Sequence, residues 1–313
     1  MLRFALYRIA LLIVLLFGLS VLTFCYLQLI PGDPVSASLG PSGTPALIHQ
    51  LRHQFGLDQP LLTQYWNWVS GLFHGDLGVS FISRQPIEPI LINRIPATLQ
   101  LTFAGMIFTV LIGWPIGFLA GIYKDSWIDR VCSALALVGL STPSFWLATL
   151  LVLFLSIHHQ WLPSQGYIPF SSDPWGSLRD TLMPSFVLGL GLAPYLARMT
   201  RAATIEVQQE QYVAHAHAKG LRRDTIRWRY SARNAVLPIV VVLGLQLGRL
   251  LSGQVIVEEI YSWPGVGRLM VEGAAQRDYY MVQAVVLVMA ALLALLNLAA
   301  ELVRAWLDPR IRL

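Results

Sequence analysis

The sequence predicts an all-α membrane protein with six transmembrane helices and both termini in the cytoplasm. Three observations lead there. Of 313 residues, 55% are hydrophobic and 12% charged, whereas soluble domains carry roughly 25% charged residues. Apolar runs long enough to cross a bilayer, about 20 residues each, recur along the chain. The cations between them obey the positive-inside rule. Arg3, Arg8, Lys124, Arg130, Arg198, a cluster from Arg201 to Arg233, Arg304, Arg310 and Arg312 fall on one side. Arg52, Arg84, Arg94, Arg179, Arg268 and Arg277 fall on the other, spread over longer connections.

Residues 1–30 hold the first span, an apolar run from Ile9 to Ile30 behind Arg3 and Arg8. A signal peptide has a shorter core of about 7–15 residues and a small-residue cleavage site. Pro31-Gly-Asp-Pro34 ends the span, because Gly and Pro together set a turn. Residues 31–97 read as an extracytoplasmic segment, mixed and polar, punctuated by Gly56-Leu-Asp-Gln-Pro60, Gly75-Asp-Leu-Gly78 and Arg94-Ile-Pro-Ala-Thr98.

Residues 98–306 read as a five-helix core. The second span runs from Leu99 to Ile122, where Gly113, Pro115, Gly117 and Gly121 suit close helix packing in lipid. After a turn at Lys124–Arg130, the third covers Val131 to Ile157, with a kink expected at Ser141-Thr-Pro-Ser144. Residues 158–180 return outside. The fourth span, Thr181 to Ala197, is expected to be disrupted by Pro184, Gly189, Gly191 and Pro194. A fifth runs from Ala235 to about Val257 and a sixth from Met281 to Ala300, leaving 307–313 as a cytoplasmic tail.

Between spans four and five lies a polar island, Thr200 to Pro238. Arg201, Lys219, Arg222, Arg223, Arg227, Arg229 and Arg233 outnumber Glu206, Glu210 and Asp224, which marks a cytoplasmic loop, 200–235. Helix formers run unbroken from Ala202 to Lys219, Gly220 offers a stop, and a second helical run reaches Pro238. Ile205, Tyr212, Ala216 and Leu221 give this charged surface an apolar edge, as a helix pair docking on a partner requires.

The residues Tyr212-Val-Ala-His-Ala-His-Ala-Lys-Gly220-Leu221, followed by Arg233-Asn234-Ala235-x-Leu237-Pro238, resemble the "EAA" loop of ABC importer permeases of the dipeptide, oligopeptide and nickel type. Glu258-Glu-Ile-Tyr-Ser-Trp-Pro-Gly-Val-Gly267 with Arg277-Asp-Tyr279 resembles that family's external block, with Tyr261 in place of Phe. Leu307-Asp-Pro-Arg310 resembles its usual terminus. The resemblance implies the type I importer permease fold and a bacterial cytoplasmic (inner) membrane location. It also implies a transport cycle of alternating access for di- or oligopeptides, nickel or metal chelates. The implied partners are a homologous second permease, two ATP-binding subunits that hold ATP and Mg, an extracytoplasmic binding protein and membrane lipid. It assigns Tyr212, Ala216, Lys219, Gly220, Leu221, Arg233, Asn234 and Pro238 to coupling with the ATPase. It places Trp263, Pro264, Gly265 and Gly267 at an external gate. Gln211, Ala214-His215 and His217 depart from the subfamily's common residues.

Residue chemistry excludes other classes. A phosphate-binding loop needs Gly before Lys, but the two lysines, Lys124 and Lys219, follow Tyr123 and Ala218. The chain therefore carries no ATP site, and no enzymatic role or cofactor of its own is expected. An ion-coupled transporter or channel subunit, the alternative reading, is built on buried acids and histidines. No Asp, Glu or His falls within the six expected spans. Cys25 and Cys132 have neither disulfide-framework nor metal-ligand spacing. His215 and His217 point to different sides of a helix, so no metal site is expected. The basic charge follows membrane topology and gives no ground for nucleic-acid binding. Arg249 is the one charge within a span. Gln246, Arg249 and Gly253 follow helical spacing and, with Glu258 at the span edge, form the candidate translocation stripe.

Overall fold

The computed structural model describes residues 2–29, 35–36 and 44–307. The turn at Pro31–Pro34 and the tail beyond Leu307 lie outside them. Among the described residues the chain is helical, with one isolated bridge between Val79 and Pro86. The helices are α1 (Leu2–Gln28), α2 (Pro45–Gln54), α3 (Leu61–Phe73), α4 (Ile87–Ile122), α5 (Trp127–Ser141) and α6 (Ser144–Leu151). A π-helical turn, Val152–His158, extends α6. Then come α7 (Pro174–Gln209), α8 (Gln211–Ala218), α9 (Arg233–Ile260), α10 (Val266–Ala275) and α11 (Tyr279–Leu307).

Among the residues with described side chains, α1, α4, α7 and α11 are long and apolar enough to cross a membrane. The pair α5 and α6, bent by 94° at Ser141-Thr-Pro-Ser144, makes five if it counts as one span. The side chains of 237–241 and 245 on α9 are outside the described set.

Three expectations change. The stretch Arg94–Thr98, expected as a turn before a span at Leu99, is helical, because α4 already begins at Ile87. Pro184 and Pro194 do not interrupt α7, which is continuous over 36 residues. An interior proline costs about 3 kcal/mol. Breaking a helix in hydrocarbon strands several backbone groups at several kcal/mol each, so the helix continues. Conversely, the run Ala202–Lys219 is broken once, where Glu210 adopts extended backbone (φ −68°, ψ 143°) between α7 and α8.

The chain divides into two compact units. In the first, residues up to 98 with 264–295, Ile87, Leu91, Val266, Leu269, Met281, Ala284 and Val285 form one core. Phe24, Trp68 and Leu287 form another. The buried Asp278 carboxylate ties its loops together, accepting from Phe81 N at 3.2 Å, Met281 N at 3.3 Å and the Ser80 hydroxyl. Arg277-Asp-Tyr279 is thus an anchor as well as a loop.

In the second unit, 99–263 with the chain from 296 on, α7 packs against α5 and α9. Three glycines of α4 lie flat on α7. A Cβ at Gly113 would stand 2.7 Å from Ala193 O, one at Gly117 2.2 Å from Ala197 O, and one at Gly121 2.5 Å from Thr204 Cβ. Only hydrogen fits at these positions. The spacing i, i+4, i+8 puts all three on one helix face, so the two backbones touch along two helical turns.

Candidate functional site

The connector from Thr200 to Pro238 folds as a helix pair closed by a glycine. At the end of α8, Gly220 N donates to His217 O at 3.0 Å and Leu221 N to Ala216 O at 3.3 Å. This is the Schellman arrangement, which requires a left-handed residue at the turn. Gly220 supplies it at φ +74°. The stop read from the sequence is where the helix ends. Beyond it, a helical turn at Arg223–Thr225 opens into a π-helical turn, Ile226–Ala232, that leads into α9.

Val213 and Ala216 of α8 pack on Ile226, which holds the pair shut. Ala216 is therefore part of the inner face, while Tyr212, Lys219, Gly220, Leu221 and Arg233 are exposed. The Asn234 amide donates from Nδ2 to Tyr230 O at 2.8 Å. Burial pushes the Tyr212 phenol up, the Asn234 side chain pulls it back, and Glu210 pushes it up again. The Pro238 side chain lies outside the described set, although its backbone continues α9.

The turn between α4 and α5 clamps this connector. Arg201 donates from Nε to Asp129 Oδ1 and from Nη2 to Asp129 Oδ2, both at 2.7 Å. Asp129 is nearly fully buried and also accepts from Asp125 N at 3.0 Å. A second clasp is Arg227, whose guanidinium lies 4.9 Å from the Tyr123 ring centroid and 3.5 Å from Asp224 Oδ1. The exposed Trp228 ring meets Phe118 at 5.3 Å.

On α9 the candidate stripe divides. Gln246 and Glu258 are buried, while Arg249 and Gly253 are exposed. The buried line passes through Gln246, Leu250 and Gln254, and Gln254 Oε1 accepts from Thr102 Oγ1 at 3.1 Å. The exposed line carries the Arg249 guanidinium 5.1 Å from the Tyr195 ring centroid of α7. Gly191 on α7 and Gly253 on α9 both have open space where a Cβ would stand. A cation held over an aromatic face, with open space on both helices, can receive an anionic group.

At the far end of α9, Ser262 takes φ +50° while Trp263 N donates to Glu258 O at 2.8 Å, a second Schellman closure. Trp263 is fully buried, its ring edge-on to Tyr167 at 4.9 Å. Pro264 is partly exposed, and the buried Gly265 and Gly267 lead into α10. Val266 N there donates to Thr98 Oγ1 at 2.8 Å. Among the described residues, no three His, Cys, Asp or Glu side chains gather as a metal would need.

The family described as "Binding-protein-dependent transport system inner membrane component" matches residues 113–313. The corresponding N-terminal family of these membrane components matches residues 1–102. This chain belongs to that permease family. The permease is 37% identical over 312 residues to the glutathione transport system permease protein GsiC of Escherichia coli strain K12. It is 38% identical to the GsiC of Salmonella choleraesuis strain SC-B67. Each alignment covers 100% of this chain and 99% of the relative. Its fold resembles a chain of the MetNI methionine ABC transporter solved in inward-facing conformations. That match has a TM-score of 0.59 at 19% identity, over 70% of the permease and 96% of that chain. The permease is thus a multi-pass inner-membrane component of an ABC import system.

Sequence reading missed the clamp that fixes the permease's connector. Asp129 and Arg201 lie 72 positions apart. The one local signal is Ser126-x-x-Asp129, an N-cap hydroxyl followed by an acid in the first turn of α5.

Proposed function

We propose that this permease is one of two homologous membrane subunits that import short peptides of glutathione size by alternating access, in the type I architecture with six spans and cytoplasmic termini. The observation that carries this reading is the full-length similarity to glutathione permeases, joined to an exposed Arg249 able to meet a peptide carboxylate. ATP and Mg belong to two partner ATPase subunits, and an external binding protein delivers the cargo. The connector 200–238 is the coupling loop. Closure of the ATPases biases it, and the cargo shifts the two-state equilibrium only through unequal affinity for the two states. Trp263, Pro264, Gly265 and Gly267 serve as the external gate.

The test is uptake by the complex reconstituted with its binding protein and ATPases. Glutathione or di- and tripeptides are expected to enter in an ATP-dependent manner. Arg249→Gln should lower uptake about tenfold, the equivalent of about 1.4 kcal/mol, with Arg249→Lys partly restoring it and ATPase activity retained. Uptake of nickel or a metal chelate with no peptide uptake would overturn the cargo. Parent-like uptake by Arg249→Gln would remove that residue from the pathway.

Topology has its own check. Ser231, on the expected inner side, is buried, so the exposed Ala214 is the better reporter. On a background lacking Cys25 and Cys132, Ser172→Cys should react with an impermeant thiol reagent in intact cells and Ala214→Cys only after lysis. Outside labelling of Ala214→Cys would overturn the six-span arrangement.

A further inference from the structure

Helix α3, Leu61–Phe73, lies in the stretch read from sequence as a polar extracytoplasmic segment, yet it carries no charged residue. It is held against the spanning helices well below their ends. The Tyr65 hydroxyl sits 2.9 Å from Ser20 Oγ of α1, and Trp68 packs between Phe24 of α1 and Leu287 of α11. At about 1.5 Å per residue, Ser20 is about 12 Å and Phe24 about 6 Å short of the end of α1 at Gln28. Leu287 is about 12 Å inside the start of α11 at Tyr279 by the same measure. Interfacial helices lie about 5–10 Å into the boundary between headgroups and acyl chains.

The surface of α3 divides into three sectors. At about 100° per residue, Trp68, Leu72 and Tyr65 share the side that packs on α1 and α11. Thr63, Asn67 and Ser70 share a polar side, where Asn67 Nδ2 donates to Gln59 Oε1 at 3.0 Å. Between them Leu62, Val69, Phe73 and Trp66 fall within about 60° of one another. Of these, Leu62 is 84% exposed, Trp66 69% and Phe73 87%. The end of α1 is likewise apolar and exposed at Leu22, Tyr26 and Leu29. A helix with one side on protein, one of uncharged polar groups and one of large apolar side chains, at this depth, fits the bilayer boundary.

We infer that α3 is an interfacial membrane helix whose Leu62–Trp66–Phe73 stripe is embedded in the acyl region of the leaflet at the C-terminal end of α1. The naming of that leaflet as the outer one rests on the topology proposed above, but the embedding does not. Its occupant is phospholipid acyl chain. The polar sector bearing Asn67 faces water, and Trp66 sits where its ring spans headgroup and chain, as interfacial tryptophans do.

The test uses Leu62→Cys, Trp66→Cys, Phe73→Cys and, for contrast, Asn67→Cys, each on a background lacking Cys25 and Cys132. Each is nitroxide-labelled in the full complex reconstituted into phospholipid vesicles. Collision rates are read with oxygen, which enters lipid, and with a water-soluble nickel chelate. The stripe labels should favour oxygen over the chelate at least threefold relative to the Asn67 label. Stripe labels reached by the chelate as readily as Asn67, as on a water-facing surface, would overturn the inference. So would stripe labels shielded from both relaxants, as beneath another protein chain. A topology error would change the side labelled in intact cells and leave this ratio unaltered.

Discussion

Arg201→Ala is expected to lower the stability of the purified complex by about 3–5 kcal/mol, the loss that follows when a buried ion is left without its partner. The reverse change should cost less. Asp129 is buried, whereas the Arg201 side chain is 33% exposed, so an Arg201 freed by Asp129→Ala turns towards water. Its loss is that of hydrogen bonds to a charged group, on the order of 1–3 kcal/mol. The double variant should resemble Asp129→Ala alone, because removing the carboxylate removes the uncompensated charge. Thermal melts of the four proteins form a double-mutant cycle. Strict additivity, or a larger loss from Asp129→Ala than from Arg201→Ala, would show that the clamp does not hold the connector.

Gly220→Val is expected to abolish most transport while the spans still insert. Nothing lies within 4 Å of where the new Cβ would stand, so crowding by neighbours is not the cause. The cause is φ +74°, which L residues adopt at a cost of about 1–2 kcal/mol, with a β-branched residue suffering more. Each 1.4 kcal/mol is about a tenfold shift in the population of the closed helix turn. Transport should fall at least tenfold, with less ATPase subunit retained on purification. Gly220→Asn separates strain from lost docking surface, because asparagine tolerates the left-handed region and should keep most transport. Parent-like uptake by Gly220→Val would end the assignment of this turn to coupling.

What the sequence disclosed follows the range of each signal. Gly113, Gly117 and Gly121 were legible as packing residues because a regular spacing of small residues has one helical meaning. The stop at Gly220 was legible because it depends on its own φ. The clamp was not, since Asp129 and Arg201 meet only after α5 and α7 pack. The prolines of α7 were misjudged by applying a rule learned in water to a helix in lipid, where continuity outweighs the lost bond. Helix α3 stayed hidden because its 13 residues are too few for a span and its polar positions resemble loop chemistry. On α9, spacing placed Gln246 and Arg249 on one stripe, but neighbouring helices decide which edge is covered, and they buried the first and left the second exposed.

In the coupling proposed above, the unbroken run of α7 would act as a lever. Its fulcrum would be Arg201, held by two bonds to Asp129. From there to the end of α7 at Gln209 is eight residues, about 12 Å, and back to its start at Pro174 is 27 residues, about 40 Å. In the rigid-rod limit a displacement at the short arm is multiplied about threefold at the long one. A shift of about 2 Å delivered beside Glu210 would swing the far end by about 7 Å, a stroke greater than one turn of helix. Lengthening the short arm by one turn would reduce that stroke even if every contact at the clamp were preserved.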